Sequence, residues 1–385
     1  MYVRQLRVKN FRSLKDVSIG DLSPLVILYG ENDSGKSNIL SFLEHVFKQK
    51  YIEEVTSTPG RELVKQTPSG FWRGQIDNFA DNFYRNDGTP IEFSIVVCFE
   101  HAEIVSIPRL PMGFLDTLSK NHAKLHLQID GRIEASVGDK ATMSLAQVKL
   151  GNKVFYQNVE SEDSRYLPRY ALTPAEKRDV FEGIMGRLDN AFLRISPERF
   201  LASEKELARS ETADLMPGSF KNWLFQASLD RNKEATFRQI TDQFNAAPFS
   251  YGRISIARVR DEEIEAYVEV SDKTGFKLPV GRKGSGVQQI LMILAYMAQS
   301  SSSLVGVEEL EINLSPKSQS SIFNSLLKLV NSQASPISQV FITTHSPHLA
   351  RRNEAQRRGV WMVSGTTQVK KPRETDVKNF FKFPQ

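Results

Sequence analysis

The run Gly30-Glu31-Asn32-Asp33-Ser34-Gly35-Lys36-Ser37 carries the most specific chemistry in this sequence. Its spacing, G-x-x-x-x-G-K-S, lets backbone N–H groups wrap a phosphate and extends a lysine toward the β- and γ-phosphates of a nucleotide. It also offers the Ser37 hydroxyl to Mg²⁺. The candidates for holding a nucleoside triphosphate are therefore Asn32, Ser34, Gly35, Lys36, Ser37 and the adjoining Asn38.

Three further constellations suit the same ligand. Ser303 to Val307 is apolar and ends in Glu308-Glu309. One carboxylate there can hold Mg²⁺, directly or through water, and the other can polarise an attacking water. Gly284-Ser285-Gly286 opens an apolar helix, where free N–H groups and a hydroxyl make a phosphate site by geometry. Val340 to Thr344 delivers His345, whose ring can hydrogen-bond a γ-phosphate or the water. Each also has a plain structural reading: surface acids, a serine helix cap and a satisfied histidine. The P-loop upstream tips all three toward the nucleotide.

These residues need strands and helices to place them. Leu25 to Tyr29 is an apolar strand directly before the P-loop, and a helix runs from it to about Phe47. Tyr2 to Val8 and Val17 to Ile19 alternate like half-buried strands. Residues 56–87, rich in Gly, Pro, Asn and Asp, read as a long irregular connection. Strand signals follow at 91–99, 124–129, 132–137, 142–150 and 153–158, together a mostly antiparallel sheet. Thr173-Pro174 opens a helix reaching Asp189, and a strand covers 191–195. Apolar residues at helical spacing over 219–246, Trp223 and Phe237 among them, predict a small helical insertion, followed by strands at 252–259 and 263–270. The remainder alternates: helix 286–299, strand 303–307, helix 317–331, strand 339–343, strand 360–364. Alternation of that kind predicts a parallel sheet with crossover helices.

The chain has 385 residues, 40% hydrophobic and 25% charged, values ordinary for a globular protein. No apolar run approaches the ~20 residues of a membrane span, and Met1 to Leu14 does not pattern like a signal peptide. A cytoplasmic protein without membrane contact is expected. The one cysteine, Cys98, reads as a buried core thiol. A net charge of +5 is concentrated near the end, in Arg351, Arg352, Arg357, Arg358, Lys370, Lys371, Arg373, Lys378 and Lys382. That segment reads as a basic tail, equally suited to a polyanion, to solvent or to an acidic partner.

Lys9-Asn10-Phe11-Arg12-Ser13-Leu14, the P-loop, Gly284 to Gln289, Val307 to Pro316 and Thr344-His345-Ser346-Pro347 together resemble the ABC-type ATPases of the RecF, SMC and OLD (overcoming lysogenization defect) group. The likeness is strongest to OLD-like "AAA family" ATP-binding proteins, many of which serve bacterial anti-phage systems. It covers both ends of the chain and hardly touches the middle. It implies an α/β fold, an ABC-type P-loop ATPase head with mixed β-sheet layers and a small helical insertion. Residues 1–200 would form an N-terminal ATPase lobe, 201–250 the insertion, and 251–385 a C-terminal lobe.

The resemblance also assigns roles. Gly284, Ser285 and Gly286 become the signature motif, Glu308 the Walker B acid that shares the metal with Ser37, Glu309 the catalytic glutamate and His345 the switch histidine. Arg12 and Ser13 fall near the nucleotide, and Gln75 stands as the Q-loop glutamine. Leu310 and Ser315 depart from the family's proline and histidine, which alters the dimer-contact loop. ATP and Mg²⁺ are the implied cofactors. The implied partners are a second copy of the chain in a homodimer or larger homo-oligomer, and DNA. No long heptad arms, Cys-x-x-Cys or TOPRIM segment is present, so a nuclease or toxin effector would be a separate polypeptide. The function implied is a defence ATPase, with a RecF-like DNA-repair ATPase as the alternative. A transporter subunit fits least, given the Asn10-Phe11-Arg12-Ser13 start and the Glu308-Glu309 pair.

Overall fold

Strands β1 (Tyr2–Phe11) and β2 (Leu14–Ile19) pair as a hairpin that buries Val3, Leu6, Val8, Val17 and Ile19 on one face. The chain then enters β3 (Leu25–Tyr29), in which all five residues are buried, crosses the P-loop and starts α1 (Lys36–Phe47). A computed structural model describes residues 1–48, 73–77, 79–84, 88–105, 124–136, 139–151, 153–157, 180, 183–199, 201, 206–207, 215–260, 263–269, 276–333, 335–372 and 377.

Next come β4 (Arg73–Asp77), β5 (Ile91–Glu100), β6 (Lys124–Ala135), β7 (Lys140–Leu150) and β8 (Lys153–Gln157). They complete an antiparallel sheet of order β2-β1-β5-β6-β7-β4, with β8 also on β7. Two expectations change here. β4 lies inside the stretch read as irregular. The pair of strands predicted over 124–137 is the single strand β6, with a register shift at Asp130/Gly131. Gly131 does not end the strand; it makes room for the Phe93 ring opposite, whose Cζ lies 2.2 Å from where a Cβ would sit. Glycine in a strand commonly marks such a close approach. The start of the helix expected from Thr173 lies outside the described residues, and its last turns reach Leu188.

The second half supplies β9 (Phe192–Ile195), β10 (Glu206–Leu207), α2 (Phe220–Leu229), α3 (Glu234–Asn245), β11 (Arg253–Arg260), β12 (Glu263–Glu269) and β13 (Lys277–Pro279). The predicted helical insertion is the α2–α3 pair. It buries Phe220, Trp223, Leu224, Ile240 and Phe244 and rests on a small sheet of β10-β12-β11 with β13. A buried ion pair, Lys221 to Glu265 at 2.9 Å, pins α2 to β12.

Last come α4 (Ser285–Gln299), β14 (Leu304–Val307), α5 (Pro316–Val330), β15 (Gln339–Thr344), α6 (Pro347–Ala350), β16 (Gln356–Val363) and β17 (Thr366–Lys370). With β3 and β9 they form a six-stranded sheet of order β17-β16-β3-β15-β14-β9, parallel except at the β16–β17 hairpin. Its central strands are buried on both faces, as helix-covered parallel strands must be. Val26, Leu28, Leu304 and Phe341 face α1 and the antiparallel sheet, whereas Leu25, Ile27, Tyr29, Val305, Val307 and Ile342 face α4 and the insertion. The α/β class with mixed sheet layers is as expected.

The hairpin corrects the reading of the basic segment as a tail. Arg358 is buried in β16 and donates to the carbonyls of Gly20 and Arg357. Lys370 ends β17, paired through Gly359. Arg352 is shared between Asn324 and Glu354. Arg373, Lys378 and Lys382 lie outside the described residues.

Candidate nucleotide site

Parallel strands end on a common edge, and register sets what meets there. Tyr29 pairs with Thr344 and Val307 with Ile342, so Gly30, Glu308 and His345 all leave their strands at the same rim. The P-loop turns there with Asp33 at φ 56° and Gly35 at φ 98°. Gly35 is doubly required: its φ is left-handed, and an added Cβ would lie 2.0 Å from Thr367 Oγ1.

Lys36 is 5% exposed, and its ammonium donates to Gly30 O at 3.1 Å, Glu31 O at 2.7 Å and Ser34 Oγ at 3.3 Å. All three acceptors are neutral. Burial drags its pKa down to about 8, against the opposing pull of Glu309, Glu311, Asp33 and Glu308. A buried cation satisfied only by carbonyls and a hydroxyl is poised for an anion. Ser34 is buried beneath it, and Asn32 is exposed at the loop tip.

The Ser37 hydroxyl donates to Glu308 Oε2 at 2.7 Å. The other oxygen of Glu308 accepts from Arg194 Nε, and Arg194 Nη1 reaches Glu44 at 3.3 Å. This donor set suits Mg²⁺, a hard ion that takes one or two carboxylates and lets phosphates and water complete its shell. Among the described residues no cluster of three His, Cys, Asp or Glu forms a self-sufficient metal cage. Ser37 and Glu308 would thus hold the ion together with the nucleotide.

Glu309 sits at φ 43° with its N–H donating to Thr343 Oγ1 at 3.0 Å. Its carboxylate lies 3.9 Å from His345 Nε2. Burial, then the Lys36 charge, lowers the His345 pKa, with a hydrogen bond to the Gly30 backbone and the nearby Glu311 and Glu309 acting against it. The imidazole is neutral at physiological pH and can serve as donor or acceptor. Glu311 fixes the backbone that carries it, accepting from the His345 backbone N–H and from the Thr344 hydroxyl, the latter at 2.7 Å.

Behind the loop, the N-terminal motif forms a brace. Arg12 donates to Asn82 Oδ1 at 2.8 Å and Asn38 Oδ1 at 3.2 Å, while Asn38 Nδ2 donates to Ser13 Oγ at 2.8 Å. Thr367 Oγ1 donates to Ser34 O at 3.0 Å, so the 2.6 Å contact between Ser13 and Thr367 must be donated by Ser13. Arg12, Ser13 and Asn38 are thus engaged with each other and with β17, and they shape the loop from outside.

The remaining predicted residues are elsewhere. Gly284 and Ser285 are exposed at the start of α4, and Gly286 packs so that a Cβ would meet Asn313 O at 2.5 Å. Among the described residues no hydrogen bond joins them to the P-loop. Gln75 lies on β4, opposite Thr142 at the sheet edge; its side chain is outside the described residues.

A family model for the AAA ATPase domain matches residues 1–167 and 196–350. The chain belongs to the AAA ATPase domain family. The matched blocks of this AAA ATPase domain hold the P-loop in the first and Ser285, Glu308, Glu309 and His345 in the second. No curated protein matches the chain. Among solved structures it is similar to an SMC head domain from Thermotoga maritima, at 14% identity and a TM-score of 0.44, covering 97% of this chain and 100% of that one. An SmcHead bound to the C-winged helix domain of ScpA gives 14% and 0.48, covering 97% and 99%. An Smc head domain with an extended coiled coil, bound to the C-terminal domain of ScpA derived from Pyrococcus furiosus, gives 12% and 0.49, covering 98% of each.

Sequence reasoning did not reach Arg194, Arg199, Glu311, Asn82 or Thr367. Arg194 had a signal, since a charge inside the apolar strand 191–195 needs a partner. Thr367 had none, because only the fold of β17 brings it to Gly35. Gly35→Ala should therefore destabilise the nucleotide-free protein by about 2 kcal/mol through backbone strain and displacement of Thr367. Urea unfolding of the two proteins checks this; equal midpoints would contradict it.

Proposed function

We propose that this AAA ATPase domain is an ABC-type ATPase. On this reading it binds ATP with Mg²⁺ on the P-loop, hydrolyses it through Glu309, and closes head to tail on a second copy. The observation that carries this is the meeting of Ser37 with Glu308 beside Lys36, Glu309 and His345, while Ser285 stands exposed and, among the described residues, without a hydrogen bond to the P-loop. One chain thus presents a phosphate loop with its acids and an exposed helix start. Two copies can satisfy each other's needs.

Lys36 would exchange its carbonyl partners for the β- and γ-phosphates. Mg²⁺, when bound through Ser37 and Glu308, would neutralise phosphate charge. Glu309 would orient and take a proton from the attacking water, and neutral His345 would hydrogen-bond the γ-phosphate. Ser285 and the N–H groups of α4 in the other copy would cover the same phosphate. Loss of the γ-phosphate removes those contacts, so turnover opens the pair.

The role we assign is a cytoplasmic sensor or scaffold ATPase of an anti-phage system, controlling a separate nuclease or toxin. Sequence resemblance supports it. The RecF-like alternative has less support, because the basic segment that suggested DNA is partly consumed by internal bonds at Arg352 and Arg358.

Light scattering of Glu309→Gln tests the pairing. Its mass should double on adding MgATP, and Ser285→Arg in the same background should bind ATP yet keep the single-chain mass. Unchanged mass with nucleotide bound would overturn the shared-site reading.

A further inference from the structure

Arg199 is 1% exposed and lies between the signature helix α4 and the acid pair after β14. Its Nε donates to Gln289 Oε1 at 2.6 Å, Nη1 to the carbonyls of Ser196 and Glu308, each at 2.8 Å, and Nη2 to Glu309 O at 3.1 Å. Among the described residues none of these partners is a carboxylate. Burial pulls its pKa down to about 10. A buried guanidinium without a direct counter-ion is an expensive way to fill a core. Its planar fork is suited to crosslinking several carbonyls at fixed angles.

Gln289 is fully buried on the second turn of α4, one turn after exposed Ser285. Its oxygen faces Arg199, and among the described residues its Nε2 has no hydrogen-bond partner. The side chain thus tolerates an unsatisfied amide for the sake of one bond to Arg199. At the other end Glu309 holds a left-handed backbone conformation, its N–H fixed by Thr343 and its carbonyl by Arg199. Both peptide groups that set the direction of its carboxylate are therefore clamped, one of them by the guanidinium that also bonds Gln289 of α4.

We infer that Arg199 is a positioning residue that couples the signature helix, through Gln289, to the orientation of the Glu309 carboxylate. The inference rests on the proposed role of Glu309 in hydrolysis. Engagement of Ser285 by the other copy's nucleotide moves the start of α4, and the Gln289–Arg199–Glu309 path carries that movement to the acid of the same chain. Each site then senses whether the opposite one is filled.

The test compares MgATP turnover, equilibrium MgATP affinity and thermal unfolding for the full chain, Arg199→Ala, Arg199→Lys, Gln289→Leu and the Arg199→Lys/Gln289→Leu double variant. Gln289→Leu removes the acceptor and the orphaned amide at nearly constant volume, so it keeps the test valid even if Arg199→Ala does not fold. Expected are a fall in kcat of about 10-fold for Gln289→Leu and about 100-fold for Arg199→Ala, with affinity changed by less than about threefold. The double variant should be no slower than Arg199→Lys alone. Wild-type kcat in Gln289→Leu, or affinity falling in parallel with kcat, overturns the coupling. Wild type turning over ATP no faster than Glu309→Gln removes the reading of Glu309, and the inference with it.

Discussion

Glu309→Gln should lower ATP turnover by about 100-fold or more while MgATP affinity changes by less than about threefold. The carboxylate lies 3.9 Å from His345 Nε2 at the rim where the P-loop leaves β3, and its backbone is held on both sides. A glutamine keeps the shape and a hydrogen-bonding oxygen but cannot take the water's proton, so the loss falls on the chemical step and spares binding. Ser37 and Glu308, the residues proposed to hold the metal, are untouched and keep their hydrogen bond. Single-turnover quenching with labelled ATP, set beside equilibrium binding, separates the two quantities. An unchanged rate would mean that another group activates the water.

Lys36→Ala should weaken MgATP binding by about 100-fold, and it should do so without lowering the stability of the nucleotide-free protein. Two charge-assisted hydrogen bonds to phosphate account for the affinity. Stability is spared because Lys36 is buried among neutral acceptors and gains little from its charge until phosphate arrives. The depressed pKa adds a pH signature. Unfolded lysine keeps its proton to about 10.4, whereas the folded, nucleotide-free protein releases it near about 8. Between those values the unfolded chain binds more protons, so stability contributed by this group rises with pH there and is lowest below about 8. Phosphate reverses the preference by restoring the charge. Affinity should therefore be full below about pH 8 and fall above it, by up to tenfold per unit. Calorimetry across pH 7 to 10 reads this slope, and Lys36→Ala should abolish it. A wild-type affinity that rises with pH above about 8 would contradict the assignment.

Much of the site was legible because its parts are local. A P-loop is a strand, a turn and a helix start within a dozen residues, and the apolar run before Gly30 and the glycine at Gly35 are both visible without a fold. Strands ending in Glu308-Glu309 and in His345 were legible for the same reason. Glu311 was passed over because one more acid after an acid pair looks like surface; its role appears only when the β15 end places Thr344 and His345 N–H against it. Strand boundaries failed where glycine serves a neighbour, as at Gly131, whose partner Phe93 is 38 residues away. The basic segment failed because charge patterning cannot see that Arg358 has carbonyls to satisfy.

By itself the sequence determined the nucleotide loop, the acid pair, the helix start at Ser285 and the α/β alternation that carries them. Each is encoded in neighbouring residues through periodicity, glycine placement and turn chemistry. Tertiary structure decided everything that depends on register between distant strands: that Ser37 meets Glu308, that β17 locks Thr367 over Gly35, and that Arg199 bridges α4 to Glu309. It also decided that Ser285 is exposed and, among the described residues, makes no hydrogen bond to its own P-loop. Such contacts join residues tens to hundreds of positions apart, and their geometry is set by burial on two faces of one parallel sheet, which no local pattern encodes.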